Sequence, residues 1–409
     1  MSRLTYAWLP AGLLLLSACA PVNQKAATPD AAPQAAAVAD EDPYLWLEDV
    51  SGDEALGWVR EQNAVSQKTI DAAPGFTALE NDLLAVLDSN EKIPFVYKQG
   101  DYFYNFWTDK QNQRGLWRRT TLAQYRSANP NWETLIDLDA LNAAEGENWV
   151  WHGASCLRPK DKGAPYARCL VSLSRGGADA DVTREFDLEK KAWIEGGFFR
   201  PEAKGSLSWI DENTVYVATD FGEGSMTTSG YARIVKEWKR GTPMSEARVI
   251  YEGTSTDMAV GAFHDDTPGF ERDFVYRSLA FYNNELYLRS DDGTLTKIDV
   301  PNSVEKGVRR EWLTLELREP WTVNGVTYPQ GALLATRFDD FLAGKRDFSV
   351  VFQPDEHSSL AGFGATKDYY YINVLEDVKN RIYLVKPSHS GTWERTPLPN
   401  LPQFGTVSV

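Results

Sequence analysis

The chain has 409 residues, roughly two to three times the length of a typical domain, so more than one unit is expected. Hydrophobic residues make up 43 % and charged residues 24 %, a balance that excludes wholesale disorder. Against 42 Lys and Arg stand 58 Asp and Glu, a net charge of −16. A surface of that sign repels phosphate backbones and no basic run counters it, which argues against a nucleic-acid partner.

The chain opens on Arg3 followed by an apolar stretch of ten residues, Ala7 to Leu16. Spanning a hydrocarbon core takes about 20 residues, so this is the core of a signal segment and not a membrane helix. It runs into Leu16-Ser17-Ala18-Cys19, which resembles the bacterial lipoprotein signal. That resemblance implies a signal peptide over 1–19, acylation of Cys19 and, with Ala at position 20, the periplasmic face of the outer membrane. The alternative is a soluble periplasmic protein. Residues 20–39 hold nine Ala, three Pro and no aromatic residue, and read as a flexible tether.

Two helices are expected next, over 53–70 and 76–88. Ser51 and Glu54 match one capping box, Thr77 and Glu80 another, with Pro74-Gly75 between them. Helices are not expected beyond about residue 90. There the chain turns to short runs rich in Tyr, Val, Ile and Trp, punctuated by Gly, Asp and Asn: 95–107, 214–221, 284–300 and 369–385. That is hairpin texture. Over 91–409 it is too long for one sandwich. At about 45 residues per four-stranded blade, it predicts an all-β, seven-bladed β-propeller whose last blade is incomplete.

The segment EDPYLWLEDVSGDEALGWVREQN (41–63) resembles the opening of the prolyl oligopeptidase family. Similarity continues through YFYNFWTDKQNQRGLWRRTTL (102–122), LIDLDALNAAEG (135–146), GADADVTREFDLEKKAWIEGGF (177–198) and 369–385. The resemblance implies serine endopeptidases that cut short peptides, typically after proline. It further implies a gating propeller over 91–409 and a helical lead-in over 40–90 that packs on an α/β-hydrolase domain. The chemistry needs a Ser-Asp-His triad, with the serine in a G-x-S-x-G elbow. Neither Gly205-Ser206-Leu207-Ser208-Trp209 nor Gly222-Glu223-Gly224-Ser225-Met226 matches the elbow, so no catalytic residue is assigned. The chain is expected to lack the hydrolase domain and to be inactive alone. The alternative is a stand-alone, lipid-tethered propeller that binds peptides or a protein.

His152, His264, His357 and His389 are scattered, without metal-ligand spacing, and neither metal nor cofactor is expected. His264-Asp265-Asp266 reads as a polar loop between blades. Cys156 and Cys169 flank a turn-rich connector between apparent strands 149–157 and 166–173. In an exported protein they are expected to form a disulfide, worth about 3 kcal/mol in the chain-entropy model. Trp107, Trp117, Trp149, Trp151, Trp193, Trp209 and Trp312 are expected to pack between blades. The expected partners are short peptides and, through Cys19 alone, a membrane; the oligomeric state is left open.

Overall fold

The computed structural model describes residues 42–366, 369–388, 392–402 and 406–407. Cys19, the signal segment, the tether and His389 lie outside the described residues. The described chain divides after Asn90 into a helical unit and a β unit.

In the helical unit a 3₁₀ turn, Leu45–Glu48, precedes α1 (Asp53–Asp71) and α2 (Phe76–Leu87). Both helices fall where the sequence put them, but neither capping box forms. Gly52 and Gly75 are the N-caps, and neither helix start gains a side-chain cap bond. Ser51 Oγ bonds Asp49 instead, and Gly75 enters α2 at φ +86°, which only glycine adopts without strain. Trp58 of α1 meets Trp46 edge-on at 6.2 Å, yet Trp58, Leu83, Leu84 and Leu87 stay exposed.

The β unit holds six sheets of four or more antiparallel strands among the described residues: 97–137, 149–203, 206–252, 259–297, 305–352 and 358–397. Strands pair in chain order within each sheet. Two elaborations break this order. A fifth strand, Phe199–Ala203, joins Asp181–Asp187 in the second sheet, and a hairpin, Trp321–Val323 with Val326–Tyr328, interrupts the fifth.

One apolar cluster joins each sheet to the next. Trp117 and Ile136 meet Trp149 and Phe186 between the first two sheets, and Leu170 meets Leu207 and Val217 between the second and third. Tyr216 meets Val260, Phe274 meets Leu313, and Trp312 meets Ile372 across the following three junctions. Alternate residues of one strand therefore serve opposite neighbours: Val215 and Val217 face the second sheet, Tyr216 and Ala218 the fourth. A strand buried on both faces is apolar on both, which is why 215–218 reads as a continuous apolar run. Serial face-to-face packing of this kind is that of a β-propeller.

Six such sheets stand among the described residues, and the sixth, 358–397, has all four strands; the sequence predicts seven blades with the last incomplete. The sheets span 39 to 55 residues, within or near the length of ordinary propeller repeats, and helices and insertions occupy some of the connections. Those helices are α3 (Leu122–Tyr125), α4 (Leu138–Glu145) and α5 (Phe338–Leu342). The clearest is α4, N-capped by Asp137, whose carboxylate accepts from Ala140 N–H, and ended by left-handed Gly146. The tryptophan expectation holds for six of the seven residues, which are buried in or packed against a junction cluster. Trp107 is buried outside those clusters, its Nε1–H donating to Asp109 under the Arg118 guanidinium.

Candidate functional site

Of the residues singled out in the sequence, His152, Cys156, His264, Asp265 and Asp266 lie on or next to the first strands of the second and fourth sheets. Cys156 ends the strand Trp149–Cys156, and Cys169 lies opposite it in register on Arg168–Arg175. Their Cα atoms are 3.8 Å apart and the two sulfurs are placed as a disulfide. The bond closes the loop 157–167, which carries Arg158, Lys160 and Lys162 against a single acid, Asp161.

His264 and Asp265 end the strand Ala259–Asp265, with Asp266 just beyond it. His264 pairs in register with Asp273, and its Nδ1 lies 3.1 Å from the Asp273 carboxylate. That carboxylate also accepts from Tyr216 Oη–H of the third sheet at 2.8 Å. Arg289 continues the row, donating to Tyr216 Oη at 3.0 Å and to Glu237 at 3.0 Å. The result is a polar seam between the third and fourth sheets, where the sequence pointed to a loop. Burial pushes the Asp273 carboxyl up, but the bonds from His264 and Tyr216 outweigh it and hold it below the usual carboxylate range. Asp273 holds the imidazolium of His264, raising its pKa above 6.5 despite burial, with Asp266 and Asp265 adding to the effect. Burial and then the Asp273 charge push the Tyr216 phenol up, so it stays a proton donor.

A raised histidine pKa fixes the sign of a pH effect. The stabilisation from His264 is complete below about pH 6.5 and is lost as pH rises through the higher folded value. Urea midpoints of the wild type should therefore fall across that rise. In His264→Asn the decline should be shallower by up to about 1 kcal/mol. Parallel pH profiles for the two proteins would contradict the seam.

A second row lies within the second sheet. Asp181 accepts from His152 Nδ1 at 3.2 Å and from the Arg200 guanidinium. Arg200 is fully buried and also donates to the carbonyls of Asp181, Pro201 and Ala203 and to Thr183. Burial lowers its pKa, and its acceptors keep the cation in place. His357 stands apart, exposed, against Asp377.

These groups pair with carboxylates; they do not assemble a nucleophile. Among the described residues no serine or thiol bonds the ring of His152, His264 or His357, and no cluster of His, Cys, Asp and Glu has the makings of a metal site. The signal that located His264 was its two neighbouring aspartates. Its actual partner, Asp273, is nine residues away, and only strand register reveals it.

Comparison with known proteins places this architecture. The family model "Prolyl oligopeptidase, N-terminal beta-propeller domain" matches residues 21–408. An uncharacterized peptidase of Sinorhizobium fredii is 34 % identical over 391 residues, covering 93 % of this chain and 53 % of that protein. A prolyl endopeptidase of Elizabethkingia meningoseptica is 25 % identical over 252 residues, covering 61 % of this chain and 33 % of that protein. Among solved structures, a post-proline cleaving enzyme from Rickettsia typhi superposes with a TM-score of 0.79 at 28 % identity, covering 87 % of this chain and 53 % of that one. The chain thus spans about half the length, or less, of the curated relatives it matches. It belongs to the prolyl oligopeptidase family, over the N-terminal β-propeller domain of that family.

Proposed function

We propose that this chain is the lead-in and gating propeller of an exported serine endopeptidase that hydrolyses short peptides after proline. The observation that carries the reading is the family match across 21–408 combined with coverage of about half of the relatives. The catalytic Ser-Asp-His residues lie outside these 409 residues, since no G-x-S-x-G elbow occurs among them. Among the described residues no serine or thiol is bonded to a histidine ring that would activate it for attack on an amide. The exposed apolar residues of α1 and α2, Trp58, Leu83, Leu84 and Leu87, are the surface on which the hydrolase domain would dock.

Incubation of the purified chain with a fluorogenic Gly-Pro substrate tests the division of labour. No hydrolysis above the buffer rate is expected, and turnover abolished by a serine-directed phosphonate would overturn it.

Export follows from the signal segment, and a Cys156–Cys169 disulfide suits an oxidising compartment. Cys19 is the acylation site, and acyl chains on one residue tether the propeller to the membrane. In cells fed labelled palmitate, the wild-type chain should carry label and sediment with membranes, whereas Cys19→Ser should be unlabelled and released. Equal labelling of the two would remove the anchor from the account.

A further inference from the structure

The loop 157–167 reaches further than a hairpin connection needs to. Its base is fixed, because Cys156 and Cys169 at its two ends are joined and Leu157 N–H bonds Arg168 O. From that base Arg158 Nε reaches Oδ2 of Asp266, just past the first strand of the fourth sheet, at 3.3 Å. The second and fourth sheets are not neighbours in the series, so this contact passes over the third. The first strand of the third sheet lies beneath it: Trp209 Nε1–H donates to Ser155 O, and Ser206–Asp211 lies against the first strand of the fourth sheet. Near the other end of the loop, the Tyr166 ring sits over Gly100, in the first turn of the first sheet. A Cβ on Gly100 would stand 3.5 Å from that ring.

We propose that loop 157–167 is a strap across the first-strand ends of sheets one to four, latched by the Arg158–Asp266 pair, which lifts to open that end of the propeller to peptides. The peptide cargo rests on the function proposed above; the latch does not.

The two fastenings differ in strength as a lid requires. The base is covalent. The latch is an ion pair with side chains 21 % and 36 % exposed, a class of contact weak enough to open thermally. The charge composition is complementary too, since the strap carries Arg158, Lys160 and Lys162 and the strand it latches to runs out into the acidic pair Asp265 and Asp266. Gly163, at φ +89°, supplies the sharp turn midway along the strap.

Amide hydrogen exchange on the full chain tests the latch, comparing the wild type with Asp266→Asn and Arg158→Gln. Exchange across 157–167 is expected to speed up roughly three- to five-fold in each variant, the loss of one part-exposed ion pair, with the six sheets unchanged. Identical exchange in all three proteins would overturn the proposal, as would acceleration spread through the sheets. If one variant fails to fold, the other gives the same reading from the opposite partner. Because no hydrolysis is measured, this result is independent of whether the chain serves a peptidase.

Discussion

Trp117→Ala is expected to lower stability by about 3–5 kcal/mol, the cost of emptying a large aromatic site in a packed core. Trp117 is 0 % exposed at the junction of the first two sheets. Its ring lies 5.8 Å from Tyr104, 5.2 Å from Trp151 and 5.9 Å from Phe186, so residues of both sheets close around it. Its Nε1–H also donates to Tyr97 Oη at 3.1 Å, within surroundings where burial pushes the Tyr97 phenol up to about 12. Truncation therefore opens a cavity and strands a buried hydroxyl. Urea titration followed by tryptophan fluorescence at another site reads the loss. A shift below about 1 kcal/mol would mean that the junction is not packed as described.

Glu185→Ala is expected to cost a similar amount, about 3–5 kcal/mol, for an electrostatic reason. The Glu185 side chain is 0 % exposed, while its partners Arg168 and Arg240 are 39 % and 22 % exposed. Arg240 donates to both carboxylate oxygens, at 2.8 and 2.9 Å, Arg168 donates at 3.0 Å, and Phe198 N–H completes the set at 2.8 Å. Burial pushes this carboxyl up, but the bonds from Arg240, the Phe198 amide and Arg168 outweigh it, so the pKa lies below 4.5. A lowered pKa means that the stabilisation is present above about pH 4.5 and is lost as pH falls through the lower folded value. Glu185→Gln keeps the volume but loses the charge, so it should retain part of the stability and flatten the acid limb. Equal acid limbs for the wild type and Glu185→Gln would contradict the assignment.

Long, strongly patterned segments were legible in the sequence. Both N-terminal helices and the hairpins at 95–107, 284–300 and 369–385 were readable because apolar spacing and turn residues agree there. Most of the tryptophans were placed correctly because a large apolar ring in a β-rich chain has few other destinations. Cap chemistry was misread. Ser51 and Thr77 fit the motif letters, but the chain enters each helix through a glycine, Gly52 one position after Ser51 and Gly75 two positions before Thr77. The helix α4 was missed because eight residues give too little periodicity, although Asp137 and Gly146 bracket it with recognisable caps. Blade boundaries were less legible, because part of the length lies in connections and in the 321–328 hairpin, which strand texture alone does not separate from the sheets.

The candidate site was harder to read, since its bonds join residues far apart in the chain. Nothing local connects Asp273 to Tyr216, or Arg158 to Asp266; both contacts arise from the serial stacking of sheets. Cys156 and Cys169 were legible for the opposite reason. A single hairpin brings them together, and that register can be drawn from sequence.

The central claim is that this propeller serves a serine peptidase whose catalytic residues lie beyond it. Reading the DNA downstream of codon 409 tests it most directly. The account predicts a hydrolase-coding segment that carries a G-x-S-x-G elbow followed by Asp and His, in whichever frame. Unrelated sequence behind a clean terminator would contradict it and leave the lipid-tethered binding module.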